Sequence, residues 1–217
     1  MADKNGQNRD GSVLFAVHQR SINAGDPCGD GFLFREEGEH ILFAVVDGLG
    51  HGAAAHDAAV AAVTSFTGNA QLPLQDIIWR AHADIRDTRG CVAFIARLDA
   101  ASRTMECISI GNITCKIQTE GERYCISTPG VLGHQVRKVI LNTVMLKERD
   151  TIYLCSDGIS SRFDPRKLEA EEPEDRAKEL FRRYRHGHDD ATAMVIQLQM
   201  AKDEQTDPSR GMVSNRV

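Results

Sequence analysis

Apolar positions along the chain fall into short runs of two kinds. Runs rich in β-branched, aromatic and aliphatic residues, bounded by Gly, Asn and Asp, predict strands joined largely by hairpins. They lie at 13–20 (VLFAVHQR), 31–38, 40–48 (HILFAVVDG), 91–99, 104–112, 114–121, 123–128, 138–146, 151–158 (TIYLCSDG) and 192–199. Three other stretches repeat at the helical period. After Gly52, the residues Ala55, Ala58, Ala59, Ala62, Val63 and Phe66 share one face, and their small size predicts close packing on a sheet. From Pro73, a second stripe carries Leu74, Ile77, Ile78, Ala81 and Ile85. The third starts at Pro173 with Glu174 and Asp175 near its positive end, carries Ala177, Leu180, Phe181 and Tyr184, and is expected to stop at Gly187. Two early helices, a long strand run, then a late helix and strand predict a layered α+β domain. Residues 1–11 and 201–217 are polar and without apolar periodicity, so both ends are expected to be disordered around one domain at 12–200.

Of the 217 residues, 41% are hydrophobic and 26% charged, a balance that supports a sizeable core. The formal net charge of −5, without a block of Lys and Arg, excludes a nucleic-acid binder that works by neutralising phosphates. No apolar run approaches the roughly 18–20 residues of a membrane helix, and the polar N-terminus lacks the apolar centre of a secretory signal. A soluble, cytoplasmic protein with no nucleic-acid or membrane partner is expected. The six cysteines, at 28, 91, 107, 115, 125 and 155, form no C-x-x-C pair and read as core thiols rather than disulfide or zinc ligands. None has Arg six positions later, which excludes the Cys-x5-Arg nucleophile of tyrosine phosphatases.

The candidate chemistry lies where apolar strands meet aspartates. The 40–48 run ends at Asp47 in a Gly-rich turn, and the 151–158 run ends in Ser156, Asp157 and Gly158. Asp189 and Asp190 immediately precede the last strand, and Asp30 precedes the second. Each Asp-Gly taken alone is first a turn signal. Four such acidic elements against strands in one chain, counting Asp189–Asp190 as one, are more than turns require, and converging on one sheet edge they would repel unless cations or protons neutralised them. All-oxygen donors suit hard Mg²⁺ or Mn²⁺, and paired ions of this kind activate water and neutralise a phosphoryl group. Gly48 beside Asp47 permits close backbone approach, so its carbonyl is a further candidate ligand.

The motifs G-D-G at 29–31, V-V-D-G-L-G-H-G at 45–52, C-S-D-G-I at 155–159 and D-D-A-T at 189–192 stand in the order seen in the metal-dependent type 2C protein phosphatases. Over about residues 12–198 the chain resembles the SpoIIE-like branch, and within it the RsbX-like phosphatases that act on stressosome proteins. The resemblance implies a central antiparallel β-sandwich flanked by helices on both faces, an αββα arrangement with two Mn²⁺ or Mg²⁺ ions at one end. It implies that Asp47 bridges the two metals, that Gly48 lends a carbonyl to one of them, and that Asp157 and Asp189 bind the other. Asp30 would hold the second metal directly or through water. Asp190 falls where the broader family often has Asn and is placed behind the ligands. Two departures stand out. The phosphate-binding Arg of the eukaryotic branch is replaced by Asp26, with Arg20 the nearest upstream substitute. That branch also has a His directly after its Asp-Gly, where this chain has Leu49 and carries His51 two positions later, as a proton donor or a residue shaping the helix start. His56 reads as helix surface, and His186 and His188 as residues shaping their loop.

The activity so implied is a phosphoserine/phosphothreonine protein phosphatase using metal-activated water, with a phosphorylated STAS-domain signalling protein of the stressosome type as substrate. Two other readings stay open: a phosphatase-fold binding module without activity, and a metal-dependent hydrolase of a small phosphorylated molecule. The segment between Asp157 and Asp189 joins two expected ligands, so it is expected to form a wall of the substrate groove, with Arg162 and Arg166 facing the target.

Overall fold

The computed structural model describes residues 2–119 and 125–200. Five strands form one antiparallel sheet in the order β1 (Ala2–Gln7), β2 (Val13–Arg20), β13 (Ala191–Leu198), β12 (Thr151–Cys155) and β7 (Thr114–Gln118). The second sheet runs β11 (Asn142–Met145), β6 (Thr104–Ile110), β5 (Cys91–Asp99), β4 (His40–Gly48) and β3 (Asp30–Glu37). A short β8 (Ser127–Thr128) lies parallel to β6, and β9 (Gly130–Val131) pairs with β10 (Gln135–Val136). Helices α1 (Ala53–Gly68) and α2 (Leu74–Asp84) cover the second sheet, and α3 (Pro173–Tyr184) covers the first.

Strand alternation builds this four-layer αββα sandwich, because successive side chains point to opposite faces. On β4, Ile41, Phe43 and Val45 enter the core between the sheets, while Leu42, Ala44 and Val46 enter the core under α1 and α2. On β13, Met194, Ile196 and Leu198 face the inter-sheet core, and Ala191, Ala193 and Val195 pack under α3. A strand buried on both faces needs apolar residues at nearly every position, which is why these runs read so clearly in the sequence.

The predicted helices form within two or three residues of their expected limits. The N-terminus departs from expectation: Ala2–Gln7, expected to be disordered, is an edge strand paired with β2 from Ala2↔Gln19 to Gln7↔Leu14. Its polar side chains give no apolar signal because an edge strand is held by backbone bonds and cross-strand ion pairs. Asp3, for example, accepts from Arg20 at 3.0 Å and lies 2.7 Å from the His18 ring nitrogen. The run at 138–146 pairs only over Asn142–Met145, since Val139 and Leu141 pack on the core beneath α2 instead. The expected strand at 123–128 is a strand over Ser127–Thr128, and its first two residues, like the end of 114–121 and the tail at 201–217, lie outside the described residues. No helix among the described residues is long and apolar enough to cross a membrane.

Candidate active site

The acidic residues occupy the last step of the inward-facing ladders. The series Ile41, Phe43, Val45 on β4 continues to Asp47, and on β3 the positions two and four before Phe34 are Phe32 and Asp30. Asp30 lies opposite Asp47 in the β3–β4 register. Across the sandwich the same parity places Gln19 beyond Val17 on β2, Ser156 beyond Leu154 on β12, and Thr192 and Asp190 before Met194 on β13. At one end of the sandwich, apolar side chains therefore give way to a polar layer drawn from both sheets.

That layer is tightly bonded. Ser156 Oγ donates to Asp30 at 2.6 Å and accepts from the Thr192 amide at 2.9 Å. Gln19 donates to the Asp30 carbonyl at 3.2 Å and to Thr192 Oγ1 at 3.0 Å. Asp190 is buried and accepts from the amides of Ile22 and Gly29, each at 2.7 Å, so it ties the loop before β3 to the start of β13. Its neighbour Asp189 is half-buried and accepts from the Asp190 amide at 2.8 Å. Asp157 is exposed at the rim, where Asn112 donates to it at 3.0 Å.

The two Asp-Gly turns share a steric cause. A Cβ on Gly48 would lie 2.1 Å from the Ala55 carbonyl oxygen, and one on Gly158 would lie 1.9 Å from that of Asp190. Each glycine lets another chain segment pass against the residue after the acid, which seats α1 beside Asp47 and the Asp189–Asp190 turn beside Asp157. Gly50 and Gly52, at φ 88° and 76°, then carry the turn into α1 with His51 exposed between them.

The electrostatics are those of crowded carboxylates. Burial first, then the negative charges of Asp30, Asp157 and Asp189 and a hydrogen bond with the Asp157 carboxyl, push Asp47 up to about 9. Burial, with repulsion from Asp190 and Asp157, pushes Asp30 up to about 7 against the opposing bonds from Ser156 and Thr192. Every charge acting strongly on these two groups is negative. An all-oxygen donor set that lacks a basic counter-charge fits a hard divalent cation. Among the described residues, no group of three or more His, Cys, Asp or Glu side chains is drawn close enough to hold a metal ion by itself. An open rim of this kind suits Mg²⁺ or Mn²⁺, which keeps several waters and needs only one or two carboxylates.

Other expected residues lie elsewhere. Arg20 does not reach the carboxylates: its guanidinium bonds Asp3 and lies over the Phe181 ring at 5.9 Å, on the α3 side of the sheet. The physical reason is parity, since Gln19 takes the inward place and Arg20 points away. Arg166 is held by Asp164 through two bonds of 3.0 and 3.2 Å. Arg162, in contrast, lines a groove of about 440 Å³ with Asn112, Asp157, Ser160 and His186. A second groove of about 470 Å³, lined by Leu49, Val92, Ser127 and Pro129, meets the first at Asn112. His56, expected on the helix surface, is half-buried and its ring lies 2.8 Å from the Cys28 carbonyl, fastening α1 to the loop before β3. His186 donates its amide to the Gly158 carbonyl at 2.7 Å and stacks with His188, which shapes the loop before Asp189. Gln19, Ser156, Thr192 and Asn112 were assigned no role from the sequence, although Ser156 and Thr192 stand inside the C-S-D-G-I and D-D-A-T motifs. The signal that finds the first three is shared parity on neighbouring strands, which requires the register.

A sandwich of two sheets between helices, closed at one end by carboxylates, is the architecture of the metal-dependent type 2C protein phosphatases. A match to the family "Stage II sporulation protein E (SpoIIE)" spans residues 37–207, and the chain belongs to that family of protein serine/threonine phosphatases. It is 25% identical over 146 residues to the phosphoserine phosphatase RsbX of Bacillus subtilis (strain 168), covering 66% of this chain and 73% of that protein. Its fold matches a crystal structure of RsbX in complex with magnesium at a TM-score of 0.82 and 22% identity, over 91% of this chain and all of the other (100%). It also matches, at a TM-score of 0.80 and 27% identity, a chain from a structure of the bacterial stressosome, over 85% of this chain and 98% of that one.

Proposed function

We propose that this chain hydrolyses phosphoserine and phosphothreonine on STAS-domain signalling proteins of the stressosome type, with two Mn²⁺ or Mg²⁺ ions at the acidic rim. The observation that carries this reading is the placement of Asp30 and Asp47 opposite each other at the inward end of β3 and β4, with Asp157 and Asp189 near enough to repel Asp47. Asp47 is the residue both ions would share, with the Gly48 carbonyl serving one of them, Asp157 and Asp189 the other, and Asp30 holding the second directly or through water. When bound, such ions supply Lewis acidity toward the phosphoryl oxygens and make water a competent nucleophile at neutral pH.

The chain's own residues do the positioning. Ser156 and Thr192 fix Asp30, Asn112 orients Asp157, and Asp190 holds the loop that presents Asp30. Hydrolysis gives water's oxygen to phosphorus and returns the Ser or Thr hydroxyl, with no phosphorylated side chain of the enzyme in between. Arg162 and Ser160 line the groove where residues flanking the phosphate would lie. The likeness to RsbX and to a stressosome chain supports the choice of target. The sandwich that carries the site is built from strands between β1 and β13.

The test is to incubate the protein with a phosphorylated STAS-domain protein and a generic phosphate ester, with Mn²⁺ or with excess chelator. Phosphate release from both with Mn²⁺, none with chelator and none from Asp47→Asn is the expected result. Turnover of the ester alone would assign a small-molecule hydrolase, and turnover of neither would leave a binding module.

A further inference from the structure

Three of the six cysteines meet at one place in the fold, outside the carboxylate rim. The parallel register of β8 on β6 aligns Ser109 with Ser127 and Ile110 with Thr128. Two residues back, the same offset aligns Cys107 with Cys125, and alternation puts both pairs on one face. The side chains agree: Ser109 Oγ donates to Ser127 Oγ at 3.2 Å, and Cys107 Sγ lies 3.0 Å from Cys125 Sγ. Cys115, on β7 of the opposite sheet, brings a third thiol to within 3.8 Å of Cys125. Neighbouring strands stand about 4.8 Å apart, within the Cα separation a disulfide spans.

We propose that Cys125 and Cys107 are a peroxide-sensitive thiol pair that closes to a disulfide. Cys125 is the half-buried member, next to an Ile126 that is 60% exposed, whereas Cys107 is fully enclosed. Small peroxide therefore reaches Cys125 first. Hydrogen bonds from the Cys107 and Cys115 thiols favour its thiolate, the reactive form. The Cys125 sulfur attacks one peroxide oxygen, the O–O bond breaks, and the departing hydroxide takes up a proton as water, leaving a sulfenic acid. The Cys107 sulfur then attacks the Cys125 sulfur, the S–O bond breaks, and a second water departs as the S–S bond forms. Two thiols and one hydrogen peroxide become one disulfide and two waters. The bond would fasten the segment leading to Ser127 and Pro129, which line one groove at the rim, to the strand beneath it.

Mass mapping of the full-length protein after graded hydrogen peroxide tests this directly, without reading activity. Trypsin cuts after Arg103, Lys116, Arg123 and Arg137, so the pair links peptide 104–116 to peptide 124–137, and fragment ions assign Cys107 or Cys115. The expected result is a loss of two hydrogens confined to Cys107 and Cys125, reversed by dithiothreitol and unchanged in Cys28→Ser. Cys125→Ser should leave Cys107 reduced at the same dose. A Cys125 that stays reduced, oxidises without a partner, or links to Cys115 instead would overturn the assignment, and the wild-type map alone decides this if the variant fails to fold.

Discussion

The unusual residue is Asp47, a half-buried carboxyl whose strongest neighbours are all acids. Its folded pKa is raised from 3.8 to about 9, and that of Asp30 to about 7. The sign follows from linkage: between these values and 3.8 the folded state binds more protons than the unfolded one, so stability falls as pH rises through that window. Metal-free protein should therefore melt at progressively lower temperature from pH 5 to pH 9, and saturating Mn²⁺ should remove most of that slope. The slope should be smaller in Asp47→Asn, and an Asp47→Asn variant with the same pH slope as wild type would contradict the mutual repulsion of these carboxylates. Ser156 tests the same site from behind. It touches Asp30 without touching substrate, and loss of such a supporting partner costs roughly 10–100-fold in metal affinity or activity. Ser156→Ala should raise the Mn²⁺ concentration for half-maximal turnover by about that factor, with activity largely recovered at high Mn²⁺. Asp47→Asn should not recover.

At the scale of elements, the Asp-Gly turns join packing to chemistry. Gly48 lies where α1 crosses the end of β4, and a methyl group there would meet the Ala55 carbonyl at 2.1 Å. Gly48→Ala should cost at least about 1–3 kcal/mol, the range for overpacking, seen as a lower melting temperature, and should reduce turnover because Asp47 shifts with the turn. Normal stability would mean that α1 yields without strain. The sequence made this much of the fold legible because β4, β5, β12 and β13 are buried on both faces and must be apolar at nearly every position. Asp47, Asp157, Asp189 and Asp190 were visible where those runs end or begin, and Asp30 at the start of β3. What stayed hidden depends on pairing between distant segments. β1 is polar and owes its form to β2. Gln19, Ser156 and Thr192 become one layer only in the register of β2, β12 and β13, and the inward place of Gln19 is what turns Arg20 away from the site.

For the whole molecule, a net-negative enzyme has to engage a phosphorylated target. The chain carries a net charge of −5 and presents a rim of carboxylates, so a phosphorylated protein is repelled unless bound cations and local basic groups offset that field. Of the two arginines expected to face the target, only Arg162 lines the groove beside Asp157, and Arg166 is engaged by Asp164 along the same loop. Selectivity should therefore respond to one and not the other. Arg162→Glu should raise the KM for a phosphorylated STAS-domain protein by about tenfold, about 1.4 kcal/mol, with kcat little changed and the defect shrinking at high salt. A small phosphate ester has no flanking residues to meet Arg162, so its turnover should be nearly unaffected. Arg166→Glu should leave both substrates near wild type. Equal losses on protein and ester in Arg162→Glu would mean that this residue supports the Asp157 end of the site instead. A larger protein-specific defect in Arg166→Glu would place the recognition surface further along the loop, toward α3.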